Sequence, residues 1–232
     1  MIQVSRQTLS FALFCALCSC GGGGGGGGED TGATGDGSSL TRGTNTALRV
    51  VHANVEASAV NVKVGDSVVQ KARFAEEKFY KQINSGPVEL KLEQLNGNTL
   101  STIPTELAKN TEYTLLVARG NTSSSTSYQL LTDNMQRPAA GFHYVNVIHA
   151  LNNSGALSAS VGDANFTSLS PRSASNFLLV PSGEAVFVAH SADGGTVAQK
   201  TLVLEDGGET TLVISGDAEI GYVALREYKD LD

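Results

Sequence analysis

From about residue 46 onward, apolar and polar residues alternate with period two. Val60, Val62 and Val64 alternate with Asn61 and Lys63; Val88, Leu90 and Leu92 alternate with Glu89, Lys91 and Glu93. Successive side chains of a strand point to opposite faces, so this pattern predicts strands with one buried face. Two runs, Thr114-Leu-Leu-Val117 and Thr211-Leu-Val-Ile214, are β-branched or apolar throughout and predict core strands. Turn residues stand between the strands, at Gly65-Asp66, Asn84-Ser-Gly-Pro87, Asn96-Gly-Asn98, Asp193-Gly-Gly195 and Asp206-Gly-Gly208. Short strands separated by such turns predict an all-β sandwich.

The pattern occurs twice, at an offset of 97 residues and without a gap. Val50-Val-His-Ala53 aligns with Val147-Ile-His-Ala150, Val64-Gly-Asp66 with Val161-Gly-Asp163, Ser85-Gly86 with Ser182-Gly183, and Gly97 with Gly194. Agreement scattered along one fixed offset is the signature of a duplication. The expected fold is therefore two tandem immunoglobulin-like β-sandwich domains, 47–133 and 142–232, joined by a linker at 134–141. The one stretch with helical character, Ala72-Arg-Phe-Ala-Glu-Glu-Lys-Phe-Tyr-Lys81, aligns with a stretch containing Pro171 and three serines. A loop or a single turn is expected in both.

The residues before these repeats carry an address. Arg6 precedes the apolar stretch Leu9-Ser-Phe-Ala-Leu-Phe-Cys-Ala-Leu17, which is too short to span a bilayer and fits a secretion signal at 1–19. All three cysteines lie here, as Cys15, Cys18 and Cys20. The segment Leu17-Cys18-Ser19-Cys20-Gly21 resembles a bacterial lipobox. That resemblance implies cleavage before Cys20, a thioether-linked diacylglycerol on its sulfur and acylation (palmitate or a similar chain) of the new amino terminus. Gly21, where retained lipoproteins carry Asp, implies delivery to the outer membrane. Residues 20–46 then read as a disordered tether: eight consecutive glycines, Gly21 to Gly28, followed by small and polar residues. A flexible chain of that length spans about 28 Å root-mean-square. A phosphate-binding loop needs a strand before it and a helix after it, and the glycines have neither.

Leu48-Arg-Val-Val-His-Ala53, the following Ala59-Val-Asn-Val-Lys-Val-Gly-Asp66, the Ser85-Gly86 turn and Glu112-Tyr-Thr-Leu-Leu-Val117 resemble the bacterial domain-of-unknown-function family 4397. The resemblance extends over both repeats. It implies an envelope or secreted β-domain, often in tandem and lipid-anchored, and brings no catalytic residues. The sequence departs from the family's usual turn at Asn54-Val-Glu-Ala57 and at Leu151-Asn-Asn-Ser-Gly155.

Candidate chemistry is sparse. His52 and His149 are the only histidines that recur; each ends a first strand, where a ring nitrogen can bond the neighbouring turn. Asp66 and Asp163 recur in Gly-Asp turns. Gly65-Asp66-Ser67 is similar to the nucleophile block of a lipolytic Ser hydrolase, but that family's Asp-x-x-His partner is absent and Ala164 replaces the Ser in repeat two. Residues 47–133 carry nine basic and nine acidic side chains, whereas 142–232 carry four and eleven. The whole formal charge of −7 thus belongs to the second repeat, which disfavours a nucleic-acid partner. The acidic run Glu205-Asp-Gly-Gly-Glu209 does not have the spacing of a Ca²⁺ loop and reads as a solvated turn.

The expectation is a non-catalytic outer-membrane lipoprotein, held in the membrane through Cys20, without cofactor or metal, presenting its domains to an envelope protein or glycan. The competing readings are an envelope hydrolase acting on polysaccharide or ester, and a carbohydrate-binding or adhesion module. The absence of Trp weakens the last.

Overall fold

The computed structural model describes residues 46–230, apart from 77, 121–124 and 134–136. The signal at 1–19, Cys20, the tether up to residue 45 and the first residues of the linker lie outside the described residues. The described chain has no helix. None of its segments is a helix long and apolar enough to cross a membrane.

The first half contains β1 (Ala47–His52), β2 (Val60–Val64), β3 (Ser67–Ala72), β4 (Lys81–Gln82), β5 (Gly86–Gln94), β6 (Thr99–Leu107), β7 (Glu112–Arg119) and β8 (Thr126–Thr132). The second contains β9 (Phe142–Asn152), β10 (Leu157–Val161), β11 (Ala164–Leu169), β12 (Ser173–Ala174), β13 (Leu178–Pro181), β14 (Gly183–Ser191), β15 (Thr196–Leu204), β16 (Glu209–Asp217) and β17 (Tyr222–Asp230). The strands β2, β3, β5 and β6 reappear 97 residues later with the same limits, as β10, β11, β14 and β15. Register recurs as well: β1 runs parallel to β7 with Ala47 opposite Glu112, and β9 runs parallel to β16 with Tyr144 opposite Glu209. The segment with helical character forms loop and the two-residue β4.

Each half is β-sandwich-like. In the first, the sheet β3-β2-β5-β6 faces the sheet β4-β1-β7-β8. In the second, β11-β10-β14-β15 faces β12-β9-β16-β17, with β13 paired to the start of β9. Leu90, Leu92, Val60 and Val62 meet Val50, Leu115 and Val117 in the first core. Phe187, Val161 and Leu202 meet Val147, Leu212 and Ile214 in the second. The Gly that opens β5 and its equivalent that opens β14 have φ of 106° and 121°, so an L side chain at Gly86 or Gly183 would be strained. That explains why both repeats keep Gly there.

A third apolar layer joins the halves. Val51, Ala53, Leu116 and Ala118 pack against Ile148, Ala150, Val213 and Tyr228. Val51, Ala53 and Leu116 correspond in the repeat to Ile148, Ala150 and Val213, so the two halves meet through the same sheet face. Such a contact is the intramolecular counterpart of an isologous dimer interface. It also explains the burial of β1, β7, β9 and β16 on both faces, where an isolated sandwich would leave one face to water. Both halves belong to one compact unit.

Beside this layer lies Arg49, with 0% of its surface exposed. Its Nε and Nη2 donate to Thr114 Oγ1 at 3.1 and 3.0 Å, and Nη2 also donates to Thr211 Oγ1 at 3.0 Å. Thr114 and Thr211 are repeat equivalents, so the guanidinium is gripped by the same residue from each half. Its carbon stands 4.5 Å from the ring centre of Tyr80 and 5.8 Å from that of Tyr228, within cation–π range. The Asp133 carboxylate, 3.9 Å away, balances the charge and accepts hydrogen bonds from Tyr80 and Thr114 at 2.6 Å each.

Arg49→Ala would take the cation away from this buried carboxylate, at a cost of about 3–5 kcal/mol. Urea unfolding followed by circular dichroism should show that loss, with a smaller loss for Arg49→Met, which keeps the packing stem. Equal stability of Arg49→Ala and the parent would show that the buried cation does not hold the layer.

Candidate functional site

The recurring histidines occupy equivalent, closed positions. His52 Nε2 donates to Ser58 O at 3.2 Å, and His149 Nε2 donates to Gly155 O at 3.0 Å. Ser58 and Gly155 are themselves repeat equivalents. The carbonyl of each His accepts a further bond, from Ala75 N at 3.1 Å and from Arg172 N at 2.6 Å, again an equivalent pair. Each His therefore pins two loops at one end of its sandwich.

His149 also has a hydroxyl beside it, with Ser154 Oγ 3.2 Å from Nε2. The proton inventory decides what this pair can do. Leu151 N–H donates to His149 Nδ1 at 3.3 Å, so the neutral ring carries its proton on Nε2. Ser154 in turn donates to Leu151 O at 2.9 Å. The ring nitrogen facing the hydroxyl is thus a donor and cannot take its proton, as a general base must. Repeat one has a backbone carbonyl and Ala57 where this pair stands. Burial lowers the pKa of both rings and outweighs the carbonyl bonds that favour the charged form.

The turn residues are spread over the surface. Asp66 and Asp163 occupy the two-residue turns of the hairpins β2–β3 and β10–β11, where Gly65 and Gly162 take φ of 59° and 54°. Asp66 is fully exposed, 3.8 Å from Lys91 Nζ, and the Asp163 carbonyl accepts from Asn165 at 3.0 Å. Ser67 is exposed at the start of β3 and has no hydrogen bond to a histidine. The acidic run of repeat two is divided: Glu205 and Asp206 are exposed in the turn, whereas Glu209 is buried on β16. No cluster of three His, Cys, Asp or Glu groups able to hold a metal occurs among the described residues. His143 is held at both nitrogens, by Glu205 O at 2.6 Å and Thr210 Oγ1 at 2.9 Å.

The groups that do converge lie on the seam between the halves. Arg119, ending β7, reaches Asp217, ending β16, with Nη1 to Oδ2 at 2.5 Å, and its Nε stands 3.4 Å from Glu56. Asn153 Nδ2 lies 3.0 Å from both oxygens of Asp217. That amide bond is the main influence holding the Asp217 carboxyl below its usual range, aided by Glu219 N–H and Arg119. Beside the ion pair opens a cleft of about 250 Å³, lined by Arg119, Asn152, Asn153, Ser154 and Arg172 among others. The sequence marks Asn152, Asn153 and Ser154 only as part of a turn that departs from the family, not as a site. The available signal was a difference between repeats: Asn152, Asn153 and Arg172 stand where repeat one has Val55, Glu56 and Ala75.

Residues 46–160 match the family described as Domain of unknown function (DUF4397). The chain carries a DUF4397 domain. The matched span begins before β1 and ends within β10, so the DUF4397 match crosses the seam and takes in both recurring histidines and Asn152, Asn153 and Ser154. No curated protein matches the chain.

The depressed histidines set a pH dependence. The unfolded chain takes up protons below about 6.5 while buried His52, His143 and His149 stay neutral in the fold. Their contribution to stability is therefore complete above that value and is lost as pH falls through the lower folded values. Melting temperature should fall between about pH 7 and 5, and His149→Gln should flatten that slope. An unchanged slope would mean that the ring does not resist protonation. The Asp217 contribution has a separate window, being lost only below about pH 4.

Proposed function

We propose that the protein is a non-catalytic bacterial envelope lipoprotein that displays two family-4397 sandwiches, fused face to face, at the end of a flexible lipid tether. The observation that carries the anchoring is Leu17-Cys18-Ser19-Cys20-Gly21, followed at once by eight glycines. Several acyl chains on one residue hold firmly where one chain holds only marginally. The second sandwich as a second family copy is supported by strand limits that recur at one offset. The non-catalytic reading is supported by the ring Nε2 atoms of His52 and His149, which donate to loop carbonyls and, beside Ser154, carry the proton that a base would have to accept. The role is binding or structural, toward an envelope protein or glycan, at the outer membrane.

Cys20→Ala should abolish incorporation of labelled palmitate and move the protein from the membrane to the soluble fraction. Globomycin, which blocks the lipoprotein signal peptidase, should cause the uncleaved precursor to accumulate. If both treatments leave processing and fractionation unchanged, the anchoring reading fails.

A further inference from the structure

We propose that the seam cleft binds a small anionic ligand through a carboxylate or phosphate group, with Arg172 as the recognising cation. The inference goes beyond display on a tether and does not depend on it. Most polar groups of the cleft are already committed. Arg119 is paired with Asp217 and Glu56, the Asn153 amide with Asp217, and the Ser154 hydroxyl with His149 and Leu151. Two groups remain. Arg172 has no carboxylate partner among the described residues, and Asn152 Nδ2 is buried without a hydrogen-bond partner. Arg172 is the donor that opens on the cleft, and its uncompensated guanidinium selects an anion; the Asn152 amide nitrogen is itself buried, on a residue of the same lining.

Arg172 is also one of only four basic residues in a half that carries eleven acidic ones. An unpaired cation there is not part of a general basic surface. The volume of about 250 Å³ holds about eight waters at about 30 Å³ each, the size of one small molecule or terminal group. The fold itself does not require these donors, because the equivalent residues of repeat one are Val55 and Ala75. Arg172 has φ of 62°, but Ala75 has 58° at the same place, so the left-handed turn belongs to the fold and not to the ligand. The same comparison shows that alanine fits there, which makes Arg172→Ala a clean probe.

The test titrates sodium glucuronate and sodium phosphate, with glucose as a neutral control, into the isotopically labelled full chain in detergent micelles. Amide resonances of Gly120, Asn152 and Arg172 should shift with one or both anions and not with glucose. The anion that binds more tightly tells whether the ligand group is a carboxylate or a phosphate. Arg172→Ala should weaken binding about tenfold or more, the usual effect of losing a charge-assisted hydrogen bond, with an unchanged melting curve. Asn152→Asp, which places a negative charge beside the same anion, should weaken it independently. The proposal is overturned if neither anion shifts these amides, if glucose shifts them equally, or if both variants bind as the parent does.

Discussion

A guanidinium with no exposed surface, between two β-sheets, constrains everything built around it. Desolvating a charge is costly unless its partners are close and well oriented. Arg49 has them only when both halves are in place: Thr114, Tyr80 and Asp133 come from the first, Thr211 and Tyr228 from the second. Separated sandwiches would leave Thr211 and Tyr228 without the cation and would expose the apolar faces around Val51 and Ile148. Four sheets are thereby stacked with three buried layers between them. The duplicated unit is the sandwich, but the folded unit is the pair.

Packing through equivalent faces has a consequence for the seam. It brings the ends of β7 and β16 together, so that Arg119 of one repeat faces Asp217 of the other. Around that ion pair the two halves are no longer alike. Repeat one contributes Arg119, Gly120 and Glu56; repeat two contributes Asn152, Asn153, Ser154 and Arg172. Duplication supplies a stringent internal comparison here. What recurs, such as the His-to-turn bond or the positive φ at Ala75 and Arg172, is needed by the fold. What differs is free to serve something else.

Strands and their limits were legible because they rest on local rules. Alternation at Val60–Val62–Val64 marks a half-buried strand in any context, and Gly65-Asp66 marks the turn that follows. His52 ends β1 as its sequence position suggests, whereas β9 continues past His149 to Asn152; both rings nevertheless reach a turn carbonyl. The burial of Arg49 was not legible. In the chain it reads as the one charged residue of a mostly apolar strand, Ala-Leu-Arg-Val-Val-His. Asp133 lies 84 positions away and Thr211 lies 162 away, and no pattern of period two connects them.

The sequence by itself therefore determined the all-β fold, the duplication, the turn positions and the character of each half, because these follow from nearest neighbours and from periodicity. Only the tertiary structure decided that the halves are fused through one face of each, which groups are buried twice over, and where a cleft opens between them. The reason is physical: a strand's sequence records which of its faces is apolar, but not what covers that face. In β1 and β7 the second cover is another copy of the same sheet.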